Sequence, residues 1–188
     1  QRTTGEAVVS DEQKALAAWH WRNTPYFHGE DGKQDLWGKG FSGGDTTNRE
    51  YWTGLFAYGF SLCGTTHAQW TAEMEAALGH GRGRVVGVNG HNSFEVFLTG
   101  GSYGNGKWVL LDHDLSTVVF NRDGTGLASI PEIKADLKNL TDRRFLPERQ
   151  RGWLVSGLHE DDAAGVFDRY TTAEYFSGYA GPPPMVHL

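Results

Sequence analysis

The chain of 188 residues holds a single cysteine, Cys63, together with eight histidines. A lone cysteine cannot close an intramolecular disulfide, so its thiol either packs as a small apolar group or does chemistry. Its setting bears on that choice. Cys63 opens the segment "CGTTHAQWTAEMEAALGHG", in which positions 63, 67, 70, 74, 77 and 78 recur at helical spacing until Gly79 and Gly81 close the pattern. A thiol in the first turn of a helix feels the positive end of the macrodipole and the unpaired backbone N–H groups, and both favour the thiolate. The same N–H groups can hold a developing oxyanion, and Gly64 lets a substrate carbonyl come close.

A thiolate nucleophile needs a base, and the base needs a group that orients it. The next two predicted strands carry one of each. "HNSFEVFLT" (91–99) alternates, with His91, Ser93, Glu95 and Phe97 on one face and Phe94, Val96 and Leu98 on the other. "KWVLLDHD" (107–114) ends in acids around His113. In an antiparallel pair, Val96 opposite Lys107 sets His91 against Asp112, and Leu98 opposite Lys107 sets the two on a diagonal. Either register keeps them on one face, where opposite Cβ atoms stand about 4.5–5.5 Å apart. A one-residue slip would bring His113 to His91 instead, and the apolar Leu110–Leu111 pair does not discriminate.

Rival assignments use the same residues. His67 lies one helical turn after Cys63 and could serve as the base, line the cleft or be buried beside Trp70. Asp112, His113 and Asp114 with His91, His80 or His67 offer metal-ligand types. Strand alternation sends His113 away from the two aspartates, so the expectation is no metal and no cofactor.

The stretch "YGFSLCGTTHAQWTAEMEAALGHGRGRVVGVNGHNSFEVFLTGGSYGNGKWVLLDHD" resembles the core of transglutaminase-like domains. There a cysteine opens a helix, a His-x-(aromatic)-x-Glu-Val strand follows, and a strand ending in Asp completes a triad. Here those elements match Gly59 to Cys63 loosely, then His91-Asn92-Ser93-Phe94-Glu95-Val96 and Trp108-Val109-Leu110-Leu111-Asp112. Ser61 stands where a glycine is usual, and Phe94 near where a tryptophan is frequent. The resemblance implies an α+β fold of papain-like type, with a cysteine-bearing helix on an antiparallel sheet that carries His and Asp. It implies Cys63, His91 and Asp112 as nucleophile, base and orienting group for acyl transfer at amides. Peptidase, amidase and transglutaminase-type chemistry all use these parts. Upstream tryptophans often help to hold the oxyanion, which makes Trp52 and Trp37 candidates.

The remaining sequence frames this core. "SDEQKALAAWHWRN" reads as a helix over 11–23, with Ser10 as N-cap and Gln13 at the capping-box position. Residues 24–49 read as a long Gly- and Asp-rich loop, followed by a short helix near 48–57. A strand is expected over 84–89 and another over 117–121. "SIPEIKADLKNL" reads as a helix begun at Pro131, residues 141–170 as mixed, and "GPPPMVHL" as a tail or linker that leaves room for further domains. One domain over 11–180, with its core motifs in 52–121, a flexible lead over 1–10 and a tail over 181–188, accommodates these elements.

Trp19, Trp21, Tyr26, Phe27, Trp37, Phe41, Tyr51 and Trp52 make the N-terminal region dense in aromatics. They pack a core, or they line a cleft for an extended polymer. The second possibility keeps a carbohydrate-binding or carbohydrate-processing module as the alternative to amide chemistry, so the expected partner is a peptide, protein or glycan. A formal charge of −6 with scattered basic residues argues against nucleic acid. No stretch approaches the roughly 18 apolar residues of a membrane span. The polar start "QRTTGEAVVSDEQ" suits a segment following a cleavage site, which points to secretion or the periplasm.

Overall fold

A computed structural model of the chain describes residues 7–23, 27–28, 60–61, 63–113, 118–121, 123–135, 176–179 and 181. The loop expected over 24–49, apart from Phe27 and His28, lies outside the described residues. So do the short helix near 48–57, the mixed stretch 141–170 and most of the tail.

The sequence of elements is α1 (Asp11–Asn23), β1 (Phe27–His28), β2 (Phe60–Ser61), α2 (Cys63–Leu78), β3 (Gly83–Val88), β4 (His91–Leu98), β5 (Lys107–Leu110) and α3 (Ile130–Ala135). This is an α+β arrangement. β1 and β2 form a short parallel pair, and β3-β4-β5 form an antiparallel meander. Among the described residues, no helix is long and apolar enough to cross a membrane.

α1 begins where its capping box requires. Gln13 N donates to Ser10 Oγ at 3.1 Å, and Ser10 N donates back to Gln13 Oε1 at 3.1 Å. Its first turn is then tied to the far end of β4. Asp11 accepts the Thr99 amide at 3.0 Å and pairs with Arg82, while Glu12 accepts the Tyr103 hydroxyl. At its other end Arg22 pairs with Glu73 of α2 at 2.5 Å. Ala15 and Trp19 are thereby held against α2 and the sheet, both buried.

α2 keeps its predicted extent, and Gly79 ends it at φ 110. Its inner face carries Trp70 and Met74, both fully buried. Gly83 is required where the helix meets the sheet, because a Cβ there would lie 2.7 Å from Phe94 Cζ and 3.2 Å from Met74 Cβ. Asn89-Gly90 makes the two-residue turn between β3 and β4, with Gly90 at φ 73.

Leu98 pairs with Lys107, the second of the two registers offered by the sequence. β5 is shorter than the 107–114 expectation. Its ladder ends at Leu110, although Leu111 N still donates to Phe94 O at 3.0 Å. The strand expected over 117–121 is reduced, in its described part, to bridge residues at Val118 and Phe120, the latter paired with Leu127. α3 starts at Ile130 rather than Pro131, because Ser129 caps it with Glu132: Ser129 N donates to Glu132 Oε2 at 2.8 Å.

The sheet is covered on both faces. On one, Phe94, Val96, Leu98, Val109 and Leu111 pack with Trp19, Trp70 and Met74. On the other, Val86, Val88 and Leu110 pack with Val119, Ile130, Ile133 and Phe176. This double cover explains the apolar Leu110–Leu111 pair, one member of which enters each core. The segment around Phe176 also seats on the β3–β4 turn. A Cβ at Gly178 would stand 2.8 Å from Asn89 N, and the Tyr179 hydroxyl donates to Glu95 at 3.2 Å.

Candidate active site

Cys63 is the first residue of α2 and is half-buried. The first turn of α2 holds no acidic residue, so nothing on the helix opposes the macrodipole there. The amide of Asn92 lies 3.8 Å from Sγ. Gly64 makes room for it, since a Cβ at that position would stand 3.3 Å from Asn92 Nδ2. The helix start is thus seated against the first residues of β4.

His91 begins β4 and is buried. Its Nε2 lies 2.8 Å from Asp112 Oδ2. A carboxylate only accepts, so Nε2 carries the proton and Nδ1 is left as the basic nitrogen. Asp112 lies two residues past the end of β5, as a bridge residue, and is 1 % exposed. Ser93, on the same face of β4 as His91, donates its hydroxyl to the same Oδ2 at 2.7 Å. Trp19 Nε1 donates to the Asp112 main-chain oxygen at 3.0 Å and so fixes the backbone from α1. Burial alone would raise the Asp112 carboxyl, but the His67 and His91 imidazoles outweigh it and hold the group well below the usual carboxylate range.

His67 is fully buried. It sits among Phe94, His91 and His113, with ring centroids at 5.8, 5.7 and 5.0 Å. Its Nε2 faces Asp112 Oδ1 at 3.3 Å, and its Nδ1 lies 2.6 Å from the Asn92 main-chain oxygen. His113 points elsewhere, with Nε2 3.2 Å from Thr66 Oγ1 and its ring against Trp70 at 5.1 Å. Of the ligand types weighed from the sequence, His67, His91 and Asp112 bring three donor atoms within 4.8 Å of one another.

The structure therefore gathers Cys63, Gly64, His67, His91 and Asp112 at one end of the sheet. Trp37, Trp52 and Asp114 lie outside the described residues. His67, Ser93 and Trp19 were not anticipated as partners of Asp112. Ser93 was legible in principle, because it shares the His91 face. Trp19 was not, since its bond to residue 112 depends on how α1 docks.

Comparison with family models, with curated proteins and with solved structures finds no match for this chain.

Proposed function

We propose that the chain is a cysteine-dependent acyl-transfer enzyme acting on amide bonds, built on a papain- or transglutaminase-like core. One observation carries this reading. The buried His91 Nε2–Asp112 Oδ2 bond of 2.8 Å fixes the imidazole beside a helix whose first residue is a half-buried cysteine.

In this reading Cys63 Sγ gives its proton to His91 Nδ1 and attacks the amide carbonyl carbon. The oxygen gathers negative charge against the N–H groups that open α2. His91 then donates its proton to the leaving nitrogen as the C–N bond breaks, which leaves a thioester on Cys63. Water or an amine attacks that carbonyl, His91 takes the incoming proton, and the thiolate departs. Asp112 stays ionised throughout and keeps the proton of His91 on Nε2, which leaves Nδ1 available. Ser93 and Trp19 hold Asp112 in place.

The test is the rate at which iodoacetamide alkylates Cys63 as a function of pH. An activated thiol reacts well below the free-thiol pKa of about 8.5. Cys63→Ala abolishes labelling and amide turnover while leaving the thermal midpoint near that of the parent. A Cys63 that labels no faster than a free thiol at neutral pH rejects the proposal.

A further inference from the structure

His67 carries an observation that the acyl-transfer reading leaves unused. A main-chain carbonyl only accepts, so the 2.6 Å contact with Asn92 O fixes the ring proton of His67 on Nδ1. Nε2 is then turned into a fully buried space, 3.3 Å from Asp112 Oδ1, with no hydrogen bond aligned on it. A neutral His67 would turn a nitrogen lone pair on that carboxylate oxygen, a contact that either a second ring proton or a metal ion between the two relieves. Two ligands held about 2.0–2.1 Å from a tetrahedral ion stand about 3.3 Å apart. His91 Nε2 approaches the same carboxylate from the other side, 2.8 Å from Oδ2.

We propose that His67, His91 and Asp112 form a site for a divalent ion of the zinc class, and that its occupation excludes acyl transfer. The donor set of two imidazoles and one carboxylate suits such a borderline ion. The supporting contacts are those that ligands of this kind use. His67 gives its other ring N–H to a main-chain carbonyl, and Asp112 receives the Ser93 hydroxyl at 2.7 Å.

Binding requires a proton shift on His91. Its Nε2 must give up the proton that it shares with Asp112 and present a lone pair to the ion. The neutral ring then carries its proton on Nδ1, the nitrogen that would have received the thiol proton. The ion takes the base and the orienting carboxylate together, and leaves the base with its proton on the wrong side. The binding part of the proposal stands on the geometry alone. The inhibitory part rests on the acyl-transfer reading.

Titration calorimetry of the full chain with zinc chloride tests the binding part. The parent is expected to take up one equivalent. His67→Gln weakens that binding by well over tenfold, and Ser93→Ala, a smaller change kept as a second variant should the first fail to fold, weakens it by about 10–100-fold. Cobalt(II) added to Cys63→Ala gives visible bands of a low-coordinate ion, because the thiol is not among the ligands. Absence of one-equivalent binding to the parent, or equal affinity in folded His67→Gln and Ser93→Ala, overturns the site. In the parent, zinc slows alkylation of Cys63 by a larger factor than it does in His67→Gln; equal slowing overturns the inhibitory part. Zinc uptake by a protein whose metal-free Cys63 lacks enhanced reactivity supports the site and sinks the acyl-transfer reading. A reactive Cys63 without zinc uptake does the reverse.

Discussion

The two faces of the β3-β4-β5 sheet are both buried, yet they are built of different material. From Phe94 onward the face toward α1 and α2 is apolar: Phe94, Val96 and Leu98 from β4 with Val109 and Leu111. The opposite face interleaves Val86, Val88 and Leu110 with His91, Ser93 and Glu95, all three of them buried polar groups with partners. The first face can be satisfied by shape and volume alone. The second must meet each donor and acceptor, or the desolvation of that group goes uncompensated. The apolar face therefore fixes where α2 sits, and the polar face fixes how side chains are oriented. They meet where β4 begins and β5 has ended, which is where His67, His91 and Asp112 converge and where Cys63 is seated against Asn92.

If orientation belongs to the polar face, the largest effect comes from Asp112→Asn. The substitution keeps the shape and permits the wrong His91 tautomer, and in a triad this costs about 10⁴-fold in rate. The alkylation rate of Cys63 and any amide turnover report it, and a rate that holds would show that the polar face does not control reactivity. If position belongs to the apolar face, Phe94→Ala costs about 3–5 kcal/mol, because it opens a cavity between Trp70 and the sheet. Urea unfolding measures that loss; a small change would mean that the apolar face collapses around the gap.

Arg84→Met probes the polar face away from the site. Glu95 is 1 % exposed in its side chain, pairs with Arg84 at 2.5 Å and accepts the Tyr179 hydroxyl. Stranding a buried carboxylate costs about 3–5 kcal/mol, and the remaining Tyr179 bond and the 22 % exposure of Arg84 bring the expectation to the lower end. The smallest effect concerns the tether that draws α1 onto the apolar face. Burial would raise the Asp11 carboxyl, but its bonds to Thr99 and Arg82 outweigh this and lower it. A depressed folded pKa contributes stability above the ordinary carboxylate range, and that stability is lost as pH falls through the folded value. Asp11→Asn is expected to cost about 1.5 kcal/mol at neutral pH and to remove this part of the acid sensitivity, as read from melts taken across the acid range.

Local rules made much of this legible. The capping box at Ser10, the stripe of α2, the alternation of β4 and the Asn89-Gly90 turn each depend on residues within a few positions of one another. The register of β4 against β5 came down to two choices, since both keep the same faces inward and differ only in the length of the connection. What could not be read was tertiary. The stripe placed His67 on the inner side of α2, but its approach to Asp112 depends on how far the helix slides along the sheet, which Gly83 and Phe94 decide. His113 is the opposite case, read correctly from its position in the strand. Alternation already sets His113 apart from Asp112, and its Nε2 indeed faces Thr66 Oγ1 at 3.2 Å. Of the aromatics weighed for a polymer cleft, Trp19 is buried in the core and Trp21 is exposed, while Tyr26, Trp37, Phe41, Tyr51 and Trp52 lie outside the described residues.

The seating of Phe176, Gly178 and Tyr179 on the β3–β4 hairpin has a consequence for the order of events during synthesis. A chain is made from its N-terminus, so Cys63, His91 and Asp112 all leave the ribosome well before the segment that covers Val88 and bonds Glu95. Until that segment arrives, the β3–β4 hairpin has an open flank, and Val88 and Glu95 lack their final surroundings. The chain thus completes the polar face of its sheet late, with strands that are made early and covered last.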